Sequence, residues 1–466
     1  MRSNQVLTEI ISVVGEKNVL SNEVEKIPYM YDASLFHGEL PELVVLPATT
    51  DEVSKVLEIC NRYKTPIVPR GGGTSLTGGS VSVKNGIVLV LSRMESIEEI
   101  SIEDGYVLAE AGVKLDDLNS KLSKYGYFFP PDPASSIAAT IGGIISTNAG
   151  GLRGAKYGVV KDWVLGIEAV LPTGEILKLG NKTLKHNIGY DLTSLIIGSE
   201  GTLAVITKAY LKIWPLPEKI VRIIAYFNSI DKIGESLVEI KKSGIVPVMA
   251  EFIDNNYMRI LRNNLNLKAP QGDVYAMLLD VDGAPEAIDR YVGKIKEILS
   301  SQGANEILSS SDPAEMENLR SVRKGAGSVL LLMRKKSTET TITSDVVVPP
   351  SQLPKFLMEL NSMVAESGRL APMLGHIGDG NIHVDIFTDL VDKVELEKAL
   401  EFNEKIGLLA LKYGGSISAE HGIGLEKKNM LVSEYDYRNS GKAISVMKDI
   451  KRVIDPNNIM NPGKIF

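Results

Sequence analysis

The sequence predicts an α+β protein built in at least two lobes, and three observations carry that reading. A chain of 466 residues exceeds what one hydrophobic core usually serves. Its first stretch, from residue 1 to about residue 215, is glycine-rich and alternates strands with short helices. Beyond Trp214-Pro215-Leu216-Pro217, where two prolines break any continuing element, the pattern becomes strand–helix–strand–strand–helix. That order is typical of a ferredoxin-like sheet with helices on one face.

The elements follow in chain order. Val44-Val45-Leu46-Pro47 is strand-like, and Thr49 to Glu52 has capping-box spacing that opens a helix through about Tyr63. A strand at Pro66-Ile67-Val68-Pro69 runs into the loop Arg70-Gly71-Gly72-Gly73-Thr74-Ser75-Leu76-Thr77-Gly78-Gly79. Gly86–Leu91 is a buried strand, and a helix from about Leu115 to Tyr125 stops at Gly126, a plausible C′ residue. A second small-residue, loop-rich zone spans Pro130 to Gly158, and Ile196–Leu203 closes the lobe. In the second lobe, strands are expected at Val221–Phe227, Val246–Ile253, Val274–Asp282 and Thr340–Val348. Helices are expected near Lys232–Lys242, Pro285–Leu299, Ala314–Gly325 and Ser351–Glu366. His376 and His383 fall on two short strands joined by the Gly378-Asp379-Gly380 turn, and the tail from Asp455 to Phe466 is turn chemistry.

Composition excludes several function classes. Hydrophobic residues at 44% and charged residues at 23% describe an ordinary globular chain. A net charge of −7 argues against nucleic acid, whose phosphates demand clustered Lys and Arg. One cysteine, Cys60, precludes an internal disulfide and a cysteine-ligated iron–sulfur cluster. It shares helical spacing with Val53, Val56 and Leu57 and reads as a buried apolar residue. No signal peptide or run of ~20 apolar residues is visible, so the expected location is the cytoplasm, with peripheral contact at the inner membrane face left open.

Two motif groups carry chemistry. Gly71-Gly72-Gly73 and Gly78-Gly79 let successive N–H groups face one concavity suited to a pyrophosphate, although neither a P-loop nor a Rossmann spacing is present. In Thr140-Ile141-Gly142-Gly143-Ile144-Ile145-Ser146-Thr147-Asn148-Ala149-Gly150-Gly151, small side chains permit close approach by something flat and polar. Three of the five histidines stand in Gly375–His383 and Glu420–Gly424, beside carboxylates. His37 and His186 read as structural. His376, His383 and Glu420 would leave open positions on a divalent metal, as catalytic sites require.

Pro69-Arg70-Gly71-Gly72-Gly73-Thr74-Ser75-Leu76-Thr77-Gly78-Gly79, with Pro131-Asp132-Pro133, Gly198-Ser199-Glu200-Gly201-Thr202 and Asn461-Pro462-Gly463-Lys464, resembles the FAD-binding oxidoreductases of the vanillyl-alcohol-oxidase (PCMH) superfamily. Within it the chain is similar to the D-2-hydroxyacid dehydrogenases, from about Pro41 to Phe466. These include the glycolate oxidase flavoprotein subunit, D-lactate dehydrogenase and D-2-hydroxyglutarate dehydrogenase. The resemblance implies a PCMH-type FAD domain at 1–215, a ferredoxin-like substrate (cap) domain with the metal site at 216–424, and a helical segment and tail at 425–466 returning to the FAD domain. It assigns the pyrophosphate to Pro69–Leu76, Gly78 and Gly79. The flavin and ribityl chain fall to Pro131, Asp132, Thr140, Gly142, Gly143, Ser146, Asn148, Ala149 and Gly150, and the adenine half to Glu200, Gly201 and Ile206. Tyr157 and Asn461 join the cofactor set. Thr74 and no histidine lies in the first loop, so the FAD is expected to be non-covalent.

The same resemblance makes His376, His383 and Glu420 ligands of a divalent metal, zinc before Mn²⁺ or Fe²⁺. His421 becomes the base, pointing away from the metal if the backbone alternates as a strand. Arg323, with His376 and Asn381, becomes the substrate-binding set, an Arg fork suiting a carboxylate. The implied reaction is oxidation of a small D-2-hydroxy acid to the 2-oxo acid. The hydroxyglutarate enzymes carry a lysine where this chain has Thr343, ahead of Asp345. That departure favours D-lactate or glycolate, with D-2-hydroxyglutarate as the alternative should Arg334, Lys335 or Lys336 substitute. A quinone, a cytochrome or an electron-transfer flavoprotein would take the electrons, and homodimers are common among such relatives. A metallohydrolase would leave both glycine-rich zones without a job, and a non-catalytic FAD subunit would not need the histidine cluster.

Overall fold

A computed structural model describes residues 2–265 and 269–466. The chain groups into two compact units: residues 1–150, 159–216 and 420–466 form the first, and residues 151–158 and 217–419 the second.

The first unit holds two principal sheets. In one, Leu43–Val45 and Ile67–Arg70 flank Ile87–Val90 in parallel, and Val19–Leu20 adds an antiparallel edge. The capping signal is realised at helix Thr50–Tyr63, where Thr49 Oγ1 accepts from Glu52 N at 3.1 Å. Glu52 reaches back to Ala48 N at 2.7 Å, one residue earlier than the usual box closes. Its buried stripe of Val53, Val56, Leu57 and Cys60 packs in the core beside Ile67, Ile87 and Leu89. Burial pushes the Cys60 thiol up to about 12, so it stays an inert thiol. The other sheet is antiparallel, in the order Ile97–Ser101, Tyr106–Glu110, Val205–Lys212, Val164–Val170, Ile176–Gly180.

One feature of this unit departs from propensity. The zone from Pro130 contains a helix, Ile141–Thr147, capped by Thr140. Two glycines argue against helix locally, yet a Cβ on Gly142 would stand 2.7 Å from that of Ala111, so glycine is what permits the packing. After helices Lys428–Tyr437 and Lys442–Ile454, the tail docks along Ile67. Ile67 N donates to Ile459 O at 2.7 Å and Asn461 N to Ile67 O at 2.8 Å.

The second unit is one seven-stranded sheet. Its order is Glu306–Ser310, Lys219–Phe227, Tyr275–Gly283, Met249–Ile253, Met373–Gly375, Asn381–Asp389, Glu339–Val347, all antiparallel. The first four, in chain order fourth–first–third–second, make the ferredoxin-like sheet. Helices Ile230–Lys242 and Pro285–Ser301 provide its two crossovers. Helix Asn255–Leu265 is inserted between the two middle strands, and with Pro313–Met333 it covers the second face. Helices therefore lie on both faces, because the extended sheet has a second apolar patch to bury.

Candidate functional site

In the first unit, the glycine loop leaves the carboxyl end of strand Ile67–Arg70 and borders a cavity of ≈ 460 Å³, within the range of cofactor sites. Of the expected cofactor residues, Pro69 to Leu76, Gly79, Thr140, Gly142, Gly143, Ser146, Ala149, Glu200, Gly201 and Ile206 line it. The glycines are sterically required: a Cβ on Gly72 would land on the Ala138 carbonyl, and one on Gly73, at φ 68°, on the Arg70 guanidinium. Arg70 is steadied by Ser80 O at 3.2 Å and stacks over Tyr29.

Other expected cofactor residues do not line it. Asn461 Nδ2 ties Gly79 O (2.9 Å) to Glu200 O (2.7 Å), so it braces the loop. Asn148, at φ 51°, ends the small-residue helix and accepts from Lys161 N at 2.9 Å. Gly78 takes φ 77° within the loop, and Pro133 lines the cavity where Pro131 and Asp132 precede it. Tyr157 belongs to the second unit and bonds Asp282 at 2.9 Å.

Glu420 and His421 line the same cavity. They lie on bends rather than on a strand, so no strand alternation separates them; His421 Nε2 is 3.9 Å from Glu420 Oε1. The segment is held by two clamps. Thr77 donates to His421 O at 3.3 Å and accepts from Leu425 N at 2.8 Å. Glu200, itself at φ 52°, accepts from Ile423 N at 2.7 Å and Gly424 N at 2.8 Å. Burial pushes the Glu200 carboxyl up, against the pull of those two N–H groups. A Cβ on Gly150 would come within 2.8 Å of Glu420 Oε2, so glycine there admits the carboxylate.

In the second unit, antiparallel register gathers polar residues on one sheet face. Asp345 pairs with His383 and Val347 with Asn381, and the two-residue side-chain period keeps each strand's set together. His376 follows strand Met373–Gly375 instead of lying within it, and His383 sits inside a nine-residue strand. Their ring centroids are 5.2 Å apart at 85°. His376 Nδ1 is bonded to Glu251 Oε1 at 2.7 Å, and Arg323 Nε donates to Glu251 Oε2 at 2.7 Å. Burial alone would raise the Glu251 carboxyl, but His376 and Arg323 hold it below the usual range. Asp345 accepts from Asn381 Nδ2 (2.9 Å), Ser418 Oγ (3.1 Å) and Ala419 N (3.0 Å), and lies 3.8 Å from His383 Nδ1. Asn381 Oδ1 is buried without a partner among the described residues, an acceptor suited to a ligand. Thr343 Oγ1 donates to Asp385 Oδ1 at 2.7 Å, and Lys336 pairs with Asp389 at 2.9 Å.

Residues 41–180 match the FAD binding domain family, and residues 216–465 match the FAD linked oxidases, C-terminal domain. The glycolate oxidase subunit GlcD of Bacillus subtilis (strain 168) is 35% identical across 100% of this chain and 97% of its own. D-lactate dehydrogenase of Anaerostipes hadrus is 34% identical across 99% and 98%.

The chain belongs to the FAD-linked oxidase family. It is an FAD-dependent oxidoreductase of the group that holds glycolate oxidase GlcD and D-lactate dehydrogenase. Its mixed fold, 40% helix and 23% strand, is the PCMH type. The 4-ethylphenol oxidase of Gulosibacter chungangensis superposes with a TM-score of 0.81 over 100% of this chain and 97% of its own, at 18% identity. p-Cresol methylhydroxylase gives 0.78 over 100% and 96%, also at 18% identity.

Several parts of this oxidoreductase's site escaped sequence reasoning. Ala33, Ser80, Ala134, Ser135, Thr147 and Val205 also line the cavity, and small size is their only shared signal. Thr77 and Glu251 were missed because each works through a partner distant in sequence: |i−j| is 344 for Thr77–His421 and 125 for Glu251–His376.

Proposed function

We propose that this FAD-linked oxidoreductase converts a small D-2-hydroxy acid, D-lactate or glycolate, to its 2-oxo acid. One observation carries the reading: Glu420 and His421 stand on the wall of the cavity that the glycine loop and the Thr140–Ala149 segment also line. The base expected of the family and the cofactor cradle thus share one cavity. The kinship to glycolate oxidase and D-lactate dehydrogenase supports the substrate class.

The glycine cradle fits FAD, which when bound supplies the hydride acceptor. By family resemblance His376, His383 and Glu420 would hold a divalent ion, zinc before Mn²⁺ or Fe²⁺, which would polarise the substrate hydroxyl. His421 removes the hydroxyl proton. Arg323 meets the carboxylate with the part of its fork not engaged by Glu251, and Asn381 Oδ1 accepts from the substrate. Holding the substrate at a fixed angle reduces the barrier chiefly through positioning. A monocarboxylate is favoured because Thr343 holds the Asp385 carboxylate where a hydroxyglutarate enzyme carries a lysine. The chain has no cysteine set for an iron–sulfur cluster, so the electrons pass to an external acceptor: oxygen, a quinone, a cytochrome or an electron-transfer flavoprotein. No helix among the described residues is long and apolar enough to cross a membrane.

An anaerobic visible spectrum of the purified protein tests this. D-lactate or glycolate should bleach the flavin band, L-lactate should not, and chelator should abolish bleaching until metal is restored. A flavin band indifferent to every 2-hydroxy acid would refute the proposal.

A further inference from the structure

We infer that Asp385 is the specificity-determining residue for the substrate's side chain, a buried negative charge that turns away a second carboxylate. The inference rests on the proposed oxidation of a 2-hydroxy acid and on Arg323 as partner of its carboxylate. It adds the group that limits the acid to one charge. Asp385 lies in the second unit on strand Asn381–Asp389, two residues or about 7 Å of strand beyond His383. The two-residue side-chain period puts both on one sheet face. Asp385 pairs across the sheet with Thr343, as His383 does with Asp345.

Two hydroxyls fix the side chain. Thr343 Oγ1 donates to Asp385 Oδ1 at 2.7 Å, and Tyr257 OH donates to Oδ2. Burial, with Asp385 and Asp254 close by, pushes the Tyr257 phenol well above its ordinary value, so it stays a donor. Asp385 is only 5% exposed, and no Lys, Arg or His among the described residues pairs with it. Neutral donors hold such a carboxylate in place but leave its charge uncompensated.

The surrounding strands do not correct that charge. Met249–Ile253, Met373–Gly375, Asn381–Asp389 and Glu339–Val347 contain no Lys or Arg, while Glu251, Asp345 and Asp385 are buried on them. Arg323 supplies one guanidinium, near both Tyr257 and Glu251, and Glu251 already engages its Nε. One substrate carboxylate can be matched there, and a second meets acids. At roughly 6 to 10 Å from Asp385, with an effective dielectric of about 20, the repulsion amounts to about 15- to 100-fold in affinity. A hydrogen or methyl side chain escapes it.

Asp385→Asn removes the charge and keeps the shape. Its carbonyl oxygen accepts from one hydroxyl and its NH₂ donates to the other, since a hydroxyl serves either way. Neither partner is stranded, and Asp385→Thr removes the charge by a second route should Asn fold poorly.

The test uses full-length, FAD-loaded protein with its metal complement as purified. The ratio of kcat/KM for D-lactate over D-2-hydroxyglutarate is measured in wild type and both variants. Dissociation constants for pyruvate and 2-oxoglutarate are measured beside it by calorimetry. Wild type should prefer the monocarboxylate of each pair by about 15- to 100-fold, and the variants should cut that preference by about tenfold or more. A purely structural loss would weaken both acids together and leave the ratio fixed. An unchanged ratio in the variants, no preference in wild type, or binding of neither 2-oxo acid would each overturn the inference. Binding of 2-oxo acids needs no turnover. A flavin that no hydroxy acid reduces would therefore refute the proposed function, while the binding ratio still decides the role of Asp385.

Discussion

Glu200→Gln should loosen the segment that carries His421 while leaving the fold intact. The buried wild-type carboxylate accepts from Ile423 N and Gly424 N at 2.7 and 2.8 Å. Gln has a single acceptor oxygen, so one N–H is kept and the other faces an amide NH₂. Losing one hydrogen bond to a charged group costs about 1.5–3 kcal/mol. Part is recovered, because burial penalises the carboxylate, as its raised pKa reflects, and spares the neutral amide. A net loss of about 1–2 kcal/mol multiplies local opening by roughly 5 to 30. Hydrogen–deuterium exchange on the FAD-loaded protein reads this directly in peptides spanning residues 420–427. Protection there should fall by that factor, with strand Val164–Val170 unchanged as the internal reference. Turnover should fall with it, since His421 is two residues before the clamp. Equal protection in variant and wild type would refute the idea that Glu200 holds this segment.

Three further outcomes are expected. His421→Asn should lower kcat by about 10²- to 10⁴-fold while FAD stays bound, checked by stopped-flow reduction and the flavin spectrum. Gly72→Ala places a Cβ on the Ala138 carbonyl. That overpacking costs about 1–3 kcal/mol, so the FAD dissociation constant should rise about tenfold or more, measured by fluorescence titration. Asp254, which caps helix Asn255–Leu265 by accepting from Tyr257 N at 2.8 Å, is raised by burial to about 7. Its folded pKa lies above its unfolded one, so its stabilising effect is complete below about pH 4 and is lost as pH rises through 7, on the order of 4 kcal/mol in all. Urea unfolding of wild type against Asp254→Asn across that window should show the loss in wild type alone; parallel curves would count against it.

Much of the fold was legible because local signals were consistent. The Thr49 cap and the apolar stripe of helix Thr50–Tyr63 appear where capping chemistry puts them, while the helix before the left-handed Gly126 ends at Ser123, two residues short of Tyr125. The ferredoxin-like order was readable from alternating periods in residues 219–301. Helix Ile141–Thr147 was not, since its glycines oppose helix locally and close packing on Ala111 overrides them. Strand Glu306–Ser310 was also missed; short, half-exposed edges carry a weak pattern.

The candidate site divides along the same line. The sequence by itself determined which chemistry is present: glycines that admit a pyrophosphate, histidines sparing enough to be conspicuous, and a resemblance that tied them to FAD. These are properties of residue type and short spacing. Only the tertiary structure decided which groups hold others in place: Thr77 and Glu200 on the His421 segment, and Glu251 on His376 and Arg323. Such pairings arise from strand register and loop docking across 72 to 344 residues of chain, and no periodicity along the sequence encodes them.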